Sequence, residues 1–219
     1  VARQMEEVIG RSPARAVIPI PLGVDPRFFE PVEESRIAEV RARYGFPQAP
    51  FILSSGGAEP RKNADRLQTA FLRWRREHAR SDMFLLRLGA ASGSEPRSDI
   101  IELPYVPMED LVVLYRMATA LLFPSLHEGF GLPVLEAMAS GTPVLTSPTV
   151  AVTEFLPPGA VALCDPTDTD SIAAMLDDWL GSPERLSALG AAGPEIAGRF
   201  TWEETARQTL QAYERTAAA

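Results

Sequence analysis

Two glutamates bracket a glycine turn in this chain. Glu128 and Glu136 stand with seven residues between them, and Glu128-Gly129-Phe130-Gly131 opens that interval. A carboxylate accepts from two neighbouring hydroxyls at once, so a ribose diol or a sugar suits these side chains better than a second anion does. Leu132 and Pro133 follow, and proline at a first helical position costs nothing because that N–H has no helical partner. A helix is therefore predicted from Leu132, stopped by Gly141 and Pro143. The turn and the positive end of that helix offer amide hydrogens to an anion, phosphate above all. Taken singly, each glutamate reads better as a structural residue, since a glutamate in a first helical turn is favoured by the dipole, and Gly129 and Gly131 alone could only make a tight turn.

Upstream, Gly56-Gly57-Ala58-Glu59-Pro60-Arg61-Lys62-Asn63 delivers two adjacent cations directly after the apolar run Phe51 to Ser55. Arg61 can grip phosphate oxygens with its planar fork, and Lys62 can act as a point charge. On a surface such a pair is often solvated charge, but ligands of open α/β sheets bind at the carboxyl ends of strands, where this loop begins. It is not a triphosphate P-loop, which needs Gly-Lys-Ser or Gly-Lys-Thr at the helix start. Asp168-Thr169-Asp170 spells the DxD of metal-dependent transferases. It reads instead as a helix N-cap, with no second acidic cluster to complete a metal site.

The combination is more specific than its parts. The two glutamates with GFGLP between them, FPS before and EAMASGTPV after, resemble the signature of retaining glycosyltransferases of the two-domain GT-B architecture, the large family 4 (group 1) type. The likeness extends to YVPMEDLVVLYRMATALLFPS and to GAEPRKNADRLQTAF, so it covers most of the chain. It implies a nucleotide-sugar site with Arg61 and Lys62 on the diphosphate. Glu128 would lie on the donor sugar and Glu136 on the ribose diol. Gly56, Gly57, Val106, Gly129, Phe130, Gly131 and Leu132 complete the donor contacts, Val106 beside the base. Many members carry a further arginine where Gly56 stands here, and only Glu154 matches in the loop Thr149 to Glu154.

The elements needed to position these residues follow from periodicity. Strands are predicted at Ala16–Ile20, Phe51–Ser55, Met83–Leu88, Ile100–Leu103, Ala120–Phe123, Val144–Thr146 and Ala160–Leu163. Helices are predicted near Val1–Arg11, Glu34–Tyr44, Asn63–His78, Glu109–Met117, Ile172–Leu180, Pro183–Gly190 and Trp202–Tyr213, with a loop at Ala90–Ser98. Leu67, Phe71, Trp74 and His78 share one face, as do Ala206, Leu210 and Tyr213. Arg73, Arg76 and Arg80 form a solvated face, with a membrane surface or an acidic partner as the alternative. Alternation of strand and helix predicts a Rossmann-like, doubly wound α/β fold with a mostly parallel sheet, the C-terminal half of a GT-B enzyme.

With 219 residues, 46% of them hydrophobic, the chain can bury one sizeable core, and its net charge of -8 argues against nucleic acid as a partner. One cysteine, Cys164, rules out an internal disulfide, and His78 and His127 are too few and too far apart to suggest zinc. No apolar run reaches membrane-spanning length. Val1 in place of methionine suggests a start partway through a longer chain. On the resemblance, residues 1–30 are a linker and the end of an absent N-terminal domain, 31–200 bind the nucleotide sugar, and 201–219 form a helix that packs toward the absent domain.

The expected reaction is hexose transfer, mannose favoured, from a GDP- or UDP-linked sugar without cofactor or metal. The glycan or lipid-linked acceptor would be held by the absent domain. The setting implied is cytoplasmic cell-envelope or exopolysaccharide assembly, with peripheral association of the full-length enzyme at the inner face of the plasma membrane as an option. Two rivals remain: a nucleotide-sugar-binding module without turnover, and a sugar-nucleotide epimerase on the same fold.

Overall fold

Short apolar runs of four or five residues, too brief for helices, become parallel strands in the computed structural model, which describes residues 17–57, 59–80, 82–89 and 99–217. They are β1 Phe51–Ser55, β2 Phe84–Leu88, β3 Ile100–Leu103 and β4 Ala120–Phe123, joined by the shorter β5 Val144–Thr146 and β6 Ala162–Leu163. All pair in parallel in the order β3-β2-β1-β4-β5-β6. Seven α-helices are described: α1 Glu34–Tyr44, α2 Ala64–Glu77, α3 Met108–Met117, α4 Leu132–Ala139, α5 Thr169–Leu180, α6 Pro183–Ala197 and α7 Trp202–Ala217. This is the doubly wound α/β arrangement expected. Its strand order reverses between β1 and β4, so the loops leaving those two strands border one crevice.

Both faces of the sheet are dry, which is why the strands read as continuous apolar runs rather than alternating ones. Phe51, Leu53, Leu121 and Phe123 face α1, α3 and α4, where Val40, Leu114, Tyr115 and Leu135 close the first core. Ile52, Leu85, Leu122 and Leu145 face Leu67, Phe71 and Trp74 of α2 and Ile172 and Leu176 of α5. Each large side chain fully buried in this way contributes roughly 1.5–3 kcal/mol relative to exposure. His78 sits at the rim of that face, its ring stacked on Trp74 at 5.5 Å and its Nε2 2.8 Å from Asp177. Arg73 of the expected solvated face bonds Glu77 and Asp170.

The structure corrects several expectations. Residues 17–20 form no strand: Pro19 and Pro21 cannot donate to a ladder, and the sheet ends at β3 and β6 instead. The loop at 149–154 contains a 3-10 turn, Ala151–Phe155, and the last strand is confined to Ala162–Leu163. Helix α6 runs past Gly190 to Ala197 through Pro194, where a stop was expected. Packing explains the overrun. A Cβ on Gly190 would fall 2.6 Å from the Gly141 carbonyl and one on Gly193 2.5 Å from that of Met138, so these glycines permit close contact with α4. The expected helix near residues 1–11, the loop at 90–98 and the fraying end at 218–219 lie outside the described residues.

The two ends of the described chain meet. Val24 N–H donates to the Phe200 carbonyl at 3.0 Å, Thr205 Oγ1 donates to the Pro21 carbonyl at 2.8 Å, and a Cβ on Gly23 would fall 2.2 Å from the Trp202 nitrogen. Val24 and Phe28 are buried in the first core, and Arg116 Nη2 donates to the Phe29 and Glu30 carbonyls. The segment after Gly23 is thereby fixed to the sheet domain.

One buried charge ties α1 to α3. Asp110, fully buried, accepts from Tyr44 Oη at 2.6 Å and from Arg43 at 2.7 Å, and it also bonds Arg36. Burial pushes its carboxyl up, but the Tyr44 and Arg43 hydrogen bonds and the arginine charges outweigh that, and the net shift is below the ordinary aspartate value. A depressed carboxyl gives stability that is present above the ordinary value and is lost as pH falls through the lowered one. Asp110→Asn is therefore expected to cost about 3 kcal/mol in urea unfolding at neutral pH. The gap to the wild type should narrow under strongly acid conditions, and a gap that persists there would contradict the assignment.

Candidate functional site

The loop after β1 and the loop after β4 close on each other through charge. Arg61 Nη1 lies 2.8 Å from Glu128 Oε2, and Lys62 Nζ lies 2.7 Å from Glu128 Oε1, in an orientation that satisfies charge but no hydrogen-bond angle. Arg61 Nε also bonds Glu59 at 2.7 Å. Glu59 and Glu128 raise the Arg61 pKa above its ordinary value. The sequence-predicted cations and the first glutamate thus share one spot at the β1/β4 reversal, although 67 residues separate Arg61 from Glu128.

Local backbone geometry explains why these residue types stand here. Gly56 has φ +142°, and a Cβ on it would fall 2.8 Å from Lys62 Cδ, so the lysine stem lies across a position kept bare. Lys62 Nζ also sits 5.0 Å over the Phe123 ring at the end of β4. Gly57 is pressed toward β2, where a Cβ would be 3.1 Å from the Gly89 carbonyl. Pro60–Lys62 make one 3-10 turn, closed by Asn63 in the left-handed region at φ 59°. The buried Asn63 amide donates to the carbonyls of Pro124 at 3.0 Å and Pro166 at 2.6 Å, pinning the cation loop to the loops after β4 and β6. Leu126 N–H donates to the Arg61 carbonyl at 2.8 Å, which fixes the same seam from the other side.

Beyond Glu128 the chain turns into α4. Gly131 has φ +109°, and a Cβ there would collide with Val150 Cγ1 at 2.4 Å, so only glycine fits. Gly129 faces open space, Phe130 leans on Phe155 at 6.2 Å, and Leu132 is half-buried. The N–H groups of Gly129, Phe130 and Gly131 find no acceptor among the described residues. They are the donors an anion above the turn would use.

Glu136 lies one turn inside α4, on the same edge of the sheet but apart from the Glu128 pairs. Its Oε2 accepts from the Tyr115 hydroxyl at 2.8 Å, and Oε1 has no partner among the described residues. Burial pushes the Glu136 carboxyl up; the Tyr115 bond opposes this, and the Asp25 charge adds to it. Val106 packs into the first core, and Tyr105 beside it is 81% exposed at the carboxyl end of β3. Val106 is thus not brought against the charged cluster.

Two contributors were missed in the sequence, Tyr115 and Asp25, and the loop-joining part of Asn63 was not read from the Arg-Lys-Asn run that it closes. For Tyr115 a signal existed, because a buried phenol needs a partner for its hydroxyl. Asp168 is the N-cap expected: its side chain accepts from Asp170 N–H at 2.8 Å, and Asp170 pairs with Arg73. Cys164 is buried, its thiol pushed up by burial to about 12, which leaves no reactive thiolate.

Residues 37–196 match the family model described as glycosyl transferases group 1. The whole chain is 34% identical to an MMP alpha-(1->4)-mannosyltransferase of Mycolicibacterium hassiacum and spans 56% of that relative. Over 97% of its length it is 35% identical to a D-inositol 3-phosphate glycosyltransferase of Kineococcus radiotolerans, covering 54% of that one. The chain thus spans about half the length of these curated relatives. A sucrose-phosphate synthase structure from Thermosynechococcus elongatus superimposes with a TM-score of 0.76 at 26% identity, over 99% of this chain and 57% of that one. With its crevice lined by the glycine turn and the Arg-Lys loop that the sequence singled out, the chain belongs to the group 1 glycosyltransferases, in the Rossmann-like half of a GT-B fold.

Proposed function

We propose that this chain is the donor-binding part of a retaining hexosyltransferase that uses a nucleoside-diphosphate sugar. The observation that carries this is the meeting of Arg61, Lys62 and Glu128 at the β1/β4 reversal, next to unpaired amide hydrogens of the turn 129–131. As the bond from the sugar C1 to the diphosphate oxygen breaks, negative charge grows on the leaving group. Arg61, Lys62 and the turn amides neutralise it, a preorganised role needing no metal and worth roughly 3–4 kcal/mol per donor in acyl-transfer precedents. The acceptor hydroxyl forms the new bond to C1 on the same face and passes its proton to the departing diphosphate oxygen. Glu136 holds the ribose diol, the edge near Tyr105 and Val106 takes the base, and Glu128 turns to the sugar once the diphosphate has taken its cations.

That exchange follows from charge. Glu128 and Glu59 hold the two cations, so an incoming diphosphate must displace a carboxylate. A GDP-linked mannose or a UDP-linked hexose fits the reading, and the relative from Mycolicibacterium hassiacum, named a mannosyltransferase, favours mannose. The domain division we propose keeps residues 31–200 as the donor unit, with 1–30 as linker and α7 packing toward a further domain that holds a glycan or lipid-linked acceptor. Trp202, Leu210 and Tyr213 on α7 are 46%, 58% and 69% exposed, an apolar stripe suited to such a contact. No described helix is long and apolar enough to cross a membrane. A cytoplasmic enzyme touching the membrane surface is the location this reading carries. Because the chain spans half of its relatives, a second reading applies to the chain alone: it binds nucleotide sugar without turnover.

Calorimetry with GDP-, UDP- and ADP-sugars tests the first claim. The Arg61→Ala/Lys62→Ala double variant is expected to lose on the order of 100-fold in affinity. Absence of saturable binding by the wild type, or equal binding by the double variant, would overturn the reading. Glu128→Gln should act in opposite directions. It frees the cations, so inorganic pyrophosphate should bind about tenfold more tightly, while hexose transfer by the full-length enzyme falls by at least about 100-fold. Weaker pyrophosphate binding would mean that Glu128 does not compete for the cations.

The raised Glu136 carboxyl carries its own prediction. A folded pKa above the unfolded one means stability that is full below the ordinary glutamate value and declines as pH rises through the folded value. Glu136→Gln, which imitates the protonated form, should raise the melting temperature at neutral pH and give no gain below the ordinary glutamate value. A lower melting temperature at neutral pH would show that the buried carboxylate stabilises the fold.

A further inference from the structure

The functional reading leaves one buried polar chain unused. Tyr115 on α3 is fully buried, its ring edge-on to Phe28 at 5.6 Å and its carbonyl accepting from Thr142 Oγ1 at 2.6 Å. The aromatic body is thus locked by packing. Its hydroxyl, however, does not end in the core: it donates to Glu136 Oε2 at 2.8 Å on α4, and the Ser55 side chain at the end of β1 stands close enough to act on the same hydroxyl. Ser55 directly precedes Gly56, across which the Lys62 stem lies.

We propose that Tyr115 is a positioning residue for the donor site, turning one oxygen of Glu136 inward and holding the other toward the ribose hydroxyls of a bound nucleotide. This rests on the donor-site reading above. The physical reason is accounting for hydrogen bonds. A half-buried carboxylate with two free oxygens has several rotamers and a strong preference for its protonated form. One hydroxyl bond to Oε2 selects a rotamer and favours the ionised form, leaving Oε1 without a protein partner and able to accept from a diol. Ser55 stands beside that hydroxyl, so the phosphate loop and the diol carboxylate meet at the same phenol. The other charge that acts on Glu136 is Asp25, which works against ionisation. Tyr115 is fully buried and acts through Glu136, so it is not a catalytic residue.

The test compares the wild type with Tyr115→Phe, which keeps the ring and deletes the hydroxyl, and with Ser55→Ala, which removes the neighbouring hydroxyl from outside the core. GDP and UDP are titrated alongside their 2′- and 3′-deoxy counterparts across pH 5 to about 8, a window chosen around the raised carboxyl. The wild type is expected to prefer the ribonucleotide by about tenfold, roughly what one hydrogen bond to a charged group supplies. Tyr115→Phe should lose most of that preference, its affinity should fall away at higher pH than the wild type's, and Ser55→Ala should shift in the same direction by less. Carbon NMR of the Glu136 carboxyl in the ligand-free chain should show its titration moved upward in Tyr115→Phe. Retained ribose preference together with an unmoved titration in a folded Tyr115→Phe chain would overturn the positioning role alone. Should Tyr115→Phe not fold, the same two readouts unmoved in Ser55→Ala would overturn it. Failure of the wild type to bind any of these nucleotides would overturn the donor-site reading and this inference with it.

Discussion

The site depends on opposite charges brought together by the reversal of strand order. β1 and β4 are adjacent in the sheet but their connections leave in opposite senses, so no helix covers the gap between their carboxyl ends. The β1 loop fills that gap with Arg61 and Lys62, and the β4 loop fills it with Glu128. Ion pairs across such a gap are partly screened on the Arg61 side, where the guanidinium is 42% exposed, and much less so at Glu128 and Lys62, 9% and 14% exposed. The Lys62 pair is therefore the less screened of the two, and on the donor-site reading the one whose exchange for a diphosphate changes the electrostatics most. Bare backbone at Gly56 and the Phe123 ring beneath it leave the lysine little freedom to go elsewhere.

Much of this was legible in the sequence because the local rules agreed with the fold. Apolar runs bounded by proline and glycine gave β1, β3, β4 and β5 with their observed ends, and Pro133 and Gly141 framed α4. Site residues were legible for a different reason: Arg61, Lys62 and Glu128 lie in loops that must leave the carboxyl edge of a parallel sheet, whatever the packing details. What could not be read was anything decided by a distant partner. Gly190, Gly193 and Pro194 signal a helix end in isolation. They are instead the smooth face that lets α6 lie against α4. The segment at 17–20 has strand-like residues, but Pro19 and Pro21 leave it too few donors to pair. Val106, which the resemblance sets beside the base, is buried in the first core, and Tyr105 stands at the surface.

Asn63 and Tyr115 show a second kind of illegibility. Each carries a polar group whose partners come from two other loops or helices, at sequence separations of 61 and 103 residues for Asn63 and of 21 for Tyr115. Nothing in local spacing announces such pairing. Yet both are inferable in principle, since a buried amide or phenol left without partners costs about 1–3 kcal/mol, so its presence in a core implies that partners exist. The sequence therefore says that Tyr115 must bond something, and the fold says that the something is Glu136.

Glu136 is the point where stability and chemistry pull apart. A carboxylate placed one turn inside a helix, against a closed core, is disfavoured in its ionised form, and its neighbour Asp25 increases that tendency. A residue selected only for folding would be glutamine or an aliphatic side chain. The hydroxyl of Tyr115 offsets part of the cost without filling both oxygens, which is a poor arrangement for stability and a good one for accepting from a ligand. The same logic holds at Glu128, whose carboxylate is stabilised by Arg61 and Lys62, the two cations we propose for the diphosphate. On the donor-site reading, a diol or an anion would relieve or replace the present partners of a carboxylate in both places, and binding free energy has somewhere specific to act.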